Sequence, residues 1–151
     1  MYIISACLVG INCKYNGTST LNSVLKKMID EGKAIAICPE VMAGLPTPRE
    51  SCEIQNILDE LRVISKSGKD FTKAFNFGAE ETLKICLSQH IQKAILQSRS
   101  PSCGFGKIYN GCFDGKLIPG NGITAELLHK NGIAIFTEDN FEQEVLPPAS
   151  R

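Results

Sequence analysis

The 151-residue chain has no Trp, two His and no net charge, since 16 Lys and Arg balance 16 Asp and Glu. Balanced charge removes the broad basic footprint used in non-specific nucleic-acid or polybasic membrane binding. The two histidines, His90 and His129, fall near predicted helix ends, where an imidazolium complements the helix dipole, and this argues against a Ser–His–Asp hydrolase. Purely apolar runs such as residues 34–38 are short, far below the roughly 18 residues of a transmembrane helix. No Lys or Arg precedes the apolar start, residues 1–11, so it lacks a signal peptide's charged n-region. The expectation is a cytoplasmic protein with no membrane partner. Nucleotide chemistry has little support either: no Gly-Lys-Ser/Thr phosphate loop occurs, and Tyr109 stands where a dinucleotide fingerprint beginning at Gly104 needs its third glycine.

Apolar segments alternate between two kinds. Residues 2–6, 34–38, 93–97 and 133–136 read as short buried strands, with 61–64 as an additional one. Leu21, Val24, Leu25, Met28 and Ile29 recur at helical spacing and stop at Gly32, a suitable C′ residue. A second helix, with Phe75, Ala79, Leu83, Cys86 and Leu87 on its apolar face, is expected to start at a cap, Asp70 or Thr72, and to end near His90. A third, capped by Thr124, runs through Asn131. The segment 42–51, with Gly44, Pro46 and Pro48, excludes a continuing helix after Pro39-Glu40. Strands alternating with helices predict a single-domain, Rossmann-like three-layer α/β fold, with a mostly parallel sheet and helices on both faces. The domain is expected over residues 1–145, with a flexible tail at 146–151. In such sheets ligands bind outside the carboxyl ends of the strands.

Seven cysteines, an odd number in a chain large enough for its own core, suit free thiols or metal ligands better than a disulfide framework. There is no Cys-x-x-Cys pair, so zinc ribbons, ferredoxin-type runs and thioredoxin-like motifs lose support. The strand reading places Cys7 after the first strand, Cys38 at the end of the second and Cys103 in the loop after the third. Three distant thiols thereby share one sheet edge, and Cys13, in the first of those loops, is a fourth candidate. Soft thiolates take zinc or iron–sulfur clusters without distinguishing them. Spacing alone also allows buried structural cysteines. Cys86 falls on a core helix face, and Cys52 and Cys112 read as structural or incidental.

Several further motifs occur in order: residues 5–17 (SACLVGINCKYNG), Cys38-Pro39-Glu40, Gly44-Leu45, Pro48-Arg49, residues 68–72 (GKDFT), residues 100–104 (SPSCG) and residues 108–111 (IYNG). Together they resemble the DUF523 family over most of the chain. Lys14 and Asn16 stand where Arg and Asp are common in that family, and Gln97 where Lys is expected.

The resemblance implies a desulfidase that exchanges the thiocarbonyl sulfur of a thiolated pyrimidine, 2-thiouracil-like, for oxygen by hydrolytic, non-redox chemistry. It implies a [4Fe–4S] cluster held by Cys7, Cys38 and Cys103, with Cys13 as an alternate ligand and one iron left open. Glu40 and Ser100 become the catalytic candidates, and Ser102 and Arg49 the substrate-binding ones. A free base or nucleoside, including a thionucleoside derived from tRNA, is a more natural substrate than intact nucleic acid. The competing reading is a non-catalytic iron–sulfur or zinc module, closed by all four thiols.

Overall fold

The computed structural model describes residues 1–145. In chain order, strand β1 (Tyr2–Ser5) leads into a 3-10 turn (Ala6–Val9), helix α1 (Ser23–Asp30), strand β2 (Ala34–Ile37) and the single-turn helix α2 (Pro39–Met42). A hairpin of β3 (Cys52–Ile57) and β4 (Glu60–Ser65) precedes the long helix α3 (Thr72–Ser88) and strand β5 (Lys93–Leu96). A second hairpin, β6 (Lys107–Tyr109) and β7 (Leu117–Pro119), is followed by α4 (Ile123–Lys130), β8 (Ala134–Thr137) and α5 (Phe141–Val145). The expected tail, 146–151, lies outside the described residues. No helix among those described is long and apolar enough to cross a membrane.

The central sheet has order β2-β1-β5-β8 and every pair in it is parallel. Successive side chains of a strand point to opposite faces, and the core divides accordingly. Ile4, Ala34 and Ile95 pack with Leu25 and Met28 of α1 and Phe141 of α5. Ile3, Ala94, Leu96 and Ile135 pack with Cys86 of α3 and Leu128 of α4. This is the expected three-layer α/β fold. The chain moves from β1 out to β2 and then back across to β5, so the strand order reverses at β1. Crevices for ligands open at such reversals.

Helix breaks after Pro39-Glu40 as expected: Pro39 occupies the first position of α2, where a missing N–H costs nothing, and α2 ends at Met42. Two expected caps are corrected: the cap position of α3 is Phe71, without a side-chain bond, rather than Asp70 or Thr72, and Thr124 does not cap α4. The cap position is Gly122, without a side-chain bond, and the Thr124 hydroxyl lies 2.9 Å from that of Ser102. The additional strand at 61–64 is the inner part of β4, whose partner β3 was not anticipated. α1, by contrast, is capped by Asn22, whose Oδ1 accepts from the N–H groups of Val24 and Leu25.

α3 reaches the site through one glycine. A Cβ on Gly78 would stand 2.2 Å from the carbonyl oxygen of Pro39, so only glycine lets α3 seat against α2 directly after Cys38. Gly78→Ala gains up to about 1 kcal/mol of helix propensity but overpacks rigid backbone, typically costing about 1–3 kcal/mol. Because the obstacle is backbone, net destabilisation is expected, read as a lower urea midpoint.

Asp70, just before α3, accepts from the Thr72 N–H at 2.8 Å and from Arg62 at 2.7 and 2.9 Å. Bonds from the Thr72 hydroxyl and N–H, then from Arg62, hold its carboxyl down to about 2. A carboxylate whose folded pKa is depressed stabilises above its unfolded value, near 4, and loses that contribution as pH falls toward 2. Asp70→Asn is therefore expected to lower the melting temperature at pH 7. Thermal melts should show the difference from wild type shrinking between pH 4 and 2.

Candidate active site

Cys7 lies in the turn directly after β1, Cys38 directly after β2, and Cys103 in the loop following β5. β1 is hydrogen-bonded to both other strands, so three neighbouring carboxyl ends deliver the three thiols. Cys13 returns from the β1–α1 loop to the same place. The four line a chamber of about 20 Å³ together with Glu40 and Ser100, and all four are free thiols. Among the described residues no group of three or more His, Cys, Asp or Glu has the arrangement of a single-ion site. A four-iron cluster instead takes its thiolates on separate irons. The donor set, soft thiols gathered from three loops, fits such a cluster.

Cys13, Cys38 and Cys103 hold their protons. Cys103 is pushed up to about 12, chiefly by burial and further by the charges of Cys38 and Glu40, against hydrogen bonds from Ser5 and Ser102. Cys38 is raised by its hydrogen bond to Cys13 and then by burial. At Cys13 the bond from Cys38 acts downward, but the bond to Cys7, burial and the charge of Cys7 prevail, and it is pushed up to about 11. Ligation therefore requires metal charge to displace these protons.

Glu40 sits in the first turn of α2, two residues after Cys38. Arg49 donates from Nε to Glu40 Oε1 at 3.4 Å, from Nη1 to the Pro46 carbonyl and the Thr47 hydroxyl, and from Nη2 to the Cys13 carbonyl at 2.8 Å. The Arg49 side chain is 7% exposed and that of Glu40 19%. Although part of Glu40 meets solvent, its immediate surroundings are protein, and burial raises its carboxyl pKa against the opposing charge and hydrogen bond of Arg49. Arg49, expected at the substrate, is spent on Glu40 and on the loop carrying Cys13.

The Cys103 loop is held by Ser100 and by α4. Ser100 Oγ accepts from the N–H groups of Cys103 at 2.7 Å and Ser102 at 3.2 Å. The first amides of α4 bond to the same loop: Ile123 to the Pro101 carbonyl, and Thr124 and Ala125 to that of Ser102. A Cβ at Gly122 would meet the Ser102 carbonyl group at 2.5 Å, which explains the glycine. Ser102 is buried, bonded to Thr124, and 3.9 Å from the Cys103 sulfur. It is not among the residues lining the chamber or the larger cavity outside it, so it supports the loop from behind.

That outer cavity measures about 500 Å³. Lys14, Glu40, Gln97 and Ser100 line both it and the thiol chamber, so the two share a wall. The profile of the family described as 2-thiouracil desulfurase matches residues 2–140. The chain belongs to that family. Uncharacterized protein YbbK of Bacillus subtilis (strain 168) is 40% identical to this desulfurase-family chain over 145 residues, covering 92% of this chain and 96% of that protein. A solved structure described as the [4Fe-4S]-dependent thiouracil desulfidase TudS (DUF523Vcz) is 44% identical with a TM-score of 0.87, covering 94% of this chain and 93% of that one.

Sequence reasoning missed several cavity residues in this desulfurase-family chain. Gln97 was noted only as a departure from the family, yet its Oε1 accepts from the Cys7 thiol at 3.3 Å. Glu138 binds the N–H and hydroxyl of Ser98 and lines the outer cavity with Cys52, Glu53, Tyr109 and Phe113. The available signal for the last two was a hairpin pattern, apolar pairs flanking Gly111 and Gly115. Cys86 is core, as expected, and Cys112 is exposed.

Arg49→Met removes the partner of Glu40 and leaves the Cys13, Pro46 and Thr47 oxygens without their donor. Destabilisation of about 2–3 kcal/mol is expected, at or below the lower end for a buried pair because Glu40 reaches solvent. Arg49→Lys should recover only part of it, since a point charge cannot reproduce the fork. Urea unfolding of the three proteins provides the comparison.

Proposed function

We propose that this protein hydrolytically replaces the thiocarbonyl sulfur of a thiolated pyrimidine base or nucleoside with oxygen. Cys7, Cys38 and Cys103 hold a [4Fe–4S] cluster, and the substrate occupies the outer cavity. The observation that carries this reading is the shared wall: Glu40 and Ser100 face both the thiols and a cavity large enough for a nucleoside. Membership of the desulfurase family and likeness to a [4Fe-4S]-dependent thiouracil desulfidase support it. The cytoplasm suits the reaction, because thiols stay reduced there.

When bound, the cluster supplies an iron with an open position, which polarises the thiocarbonyl through its sulfur. The chain's own groups do the rest. Ser100 Oγ already accepts from two backbone N–H groups, so its own O–H is left to donate toward the pyrimidine. Arg49 engages Glu40 at Oε1, which leaves Oε2 to take a proton from a water as that water adds to the thiocarbonyl carbon. The C–O bond forms, the C–S bond breaks, and the carboxyl returns the first proton to the departing sulfide, then takes the second from the new hydroxyl as the carbonyl forms and passes it to solvent. No electron is gained or lost. Arg49 orients Glu40, and Ser102 braces the Cys103 loop.

Cys13 lines the same chamber and supports one competing reading, a module closed by four thiolates. Protein purified anaerobically is expected to hold about four iron and four sulfide per chain and to release sulfide from 2-thiouracil or 4-thiouridine. Cys7→Ser, Cys38→Ser and Cys103→Ser should each lose the cluster, whereas Cys13→Ser should retain metal and turnover. Glu40→Gln and Ser100→Ala should keep their iron while kcat falls by about 10²-fold or more. Zinc in place of iron, or no sulfide release after anaerobic reconstitution, sinks the proposal. Loss of metal in Cys13→Ser favours the closed module.

A further inference from the structure

Building on the proposed function, we infer that Phe113 is a specificity-determining residue whose ring forms the aromatic wall against which the substrate's pyrimidine stacks. Phe113 stands at the tip of the β6–β7 hairpin with φ of 55°, in the left-handed region that bulky residues rarely enter. It is half-buried, lines the outer cavity, and belongs to none of the three core clusters. A large aromatic in an unfavourable backbone conformation, packed into no core, is poorly explained by folding alone. Such conformations persist where surroundings over-determine them, and they concentrate at ligand sites.

The surroundings here are specific. Glu53 of β3 is 8% exposed, and its Oε1 accepts from the N–H groups of Gly111 at 2.9 Å and Phe113 at 3.2 Å. Gln55 of the same strand donates from Nε2 to the Gly111 carbonyl at 2.8 Å. Gly111 itself has φ of 91°, and a Cβ there would stand 2.7 Å from the Ile54 carbonyl oxygen. β3 thus clamps the hairpin tip onto the rim of the cavity, and Glu53, lining that cavity too, is the positioning residue. A pyrimidine is a flat π system, and a fixed aromatic face binds it without regard to which exocyclic atom is sulfur. The wall would select for a planar heterocycle, while Glu40 and Ser100 act on the thiocarbonyl.

The test compares holoprotein variants. Phe113→Gly relieves the backbone strain, so its melting temperature and iron content should match or exceed wild type. Its KM for 2-thiouracil should rise about tenfold, the order of one lost base stack, with kcat within about twofold. Phe113→Leu, which keeps bulk without a π face, should show most of the rise, and Phe113→Tyr should restore wild-type KM. Glu53→Ala should raise KM as Phe113→Gly does, with a lower melting temperature because the Gly111 and Phe113 amides lose their acceptor, and Glu53→Gln, which keeps an acceptor oxygen, should leave KM at the wild-type value. Calorimetric titration with uracil, which needs no turnover, should show the same loss of affinity in Phe113→Gly and Phe113→Leu. Active wild type with unchanged KM and uracil affinity in both variants overturns the inference alone. Wild-type holoprotein that releases no sulfide overturns the proposed function, and this inference with it.

Discussion

Parallel pairing of β1 with β2 on one side and β5 on the other brings Cys7, Cys38 and Cys103 together. Parallel neighbours end on the same side, so a residue just past each strand arrives at one edge whatever its distance along the chain. An antiparallel partner in either position would send its thiol to the opposite end of the sheet. The reversal of strand order at β1 then opens the crevice into which these ends project. Register completes the arrangement: Ser5 pairs with Ile37, so Cys7 and Cys38 leave their strands almost level.

A cluster-binding site needs polar and soft groups inside a fold that otherwise buries apolar ones, and this protein manages the conflict by spending backbone carbonyls. Arg49 is the clearest case. Its donors satisfy two loop carbonyls, a hydroxyl and the Glu40 carboxylate, so the loop bearing Cys13 is tied through one rigid fork to Glu40 of α2. Glu53 does the converse in the hairpin, a buried carboxylate accepting from two amides. In both places a long-range side chain orders a loop that has no secondary structure of its own, as loops carrying function require.

Much of this was legible in the sequence. The four sheet strands announced themselves as short apolar runs ending in turns, and Gly32 and the periodicity of α1 and α3 marked their helices. The convergence of three cysteines followed from the order of those elements. β6 and β7 are three residues each, too short for alternation to register. β3 alternates as a half-buried strand only from Cys52 to Gln55 and loses the pattern at Asn56, a signal of minimal length. Arg49 and Ser102 looked like residues free to meet a substrate. Which polar group in a loop faces a cavity and which braces the loop is decided by tertiary contacts, as with Thr124, whose hydroxyl went to Ser102 rather than to a cap.

The start of α4 shows what such bracing entails. Ordinarily the first amides of a helix are served by a side chain or by water. Here three successive amides, from Ile123 to Ala125, bond to the carbonyls of Pro101 and Ser102, with Gly122 allowing the contact. The first turn of α4 cannot fray without releasing the segment that carries Cys103, nor can that segment open without exposing those amides. The two form one cooperative opening unit, and exchange of the Ala125 amide with solvent becomes a clock for the integrity of a sulfur centre it never touches.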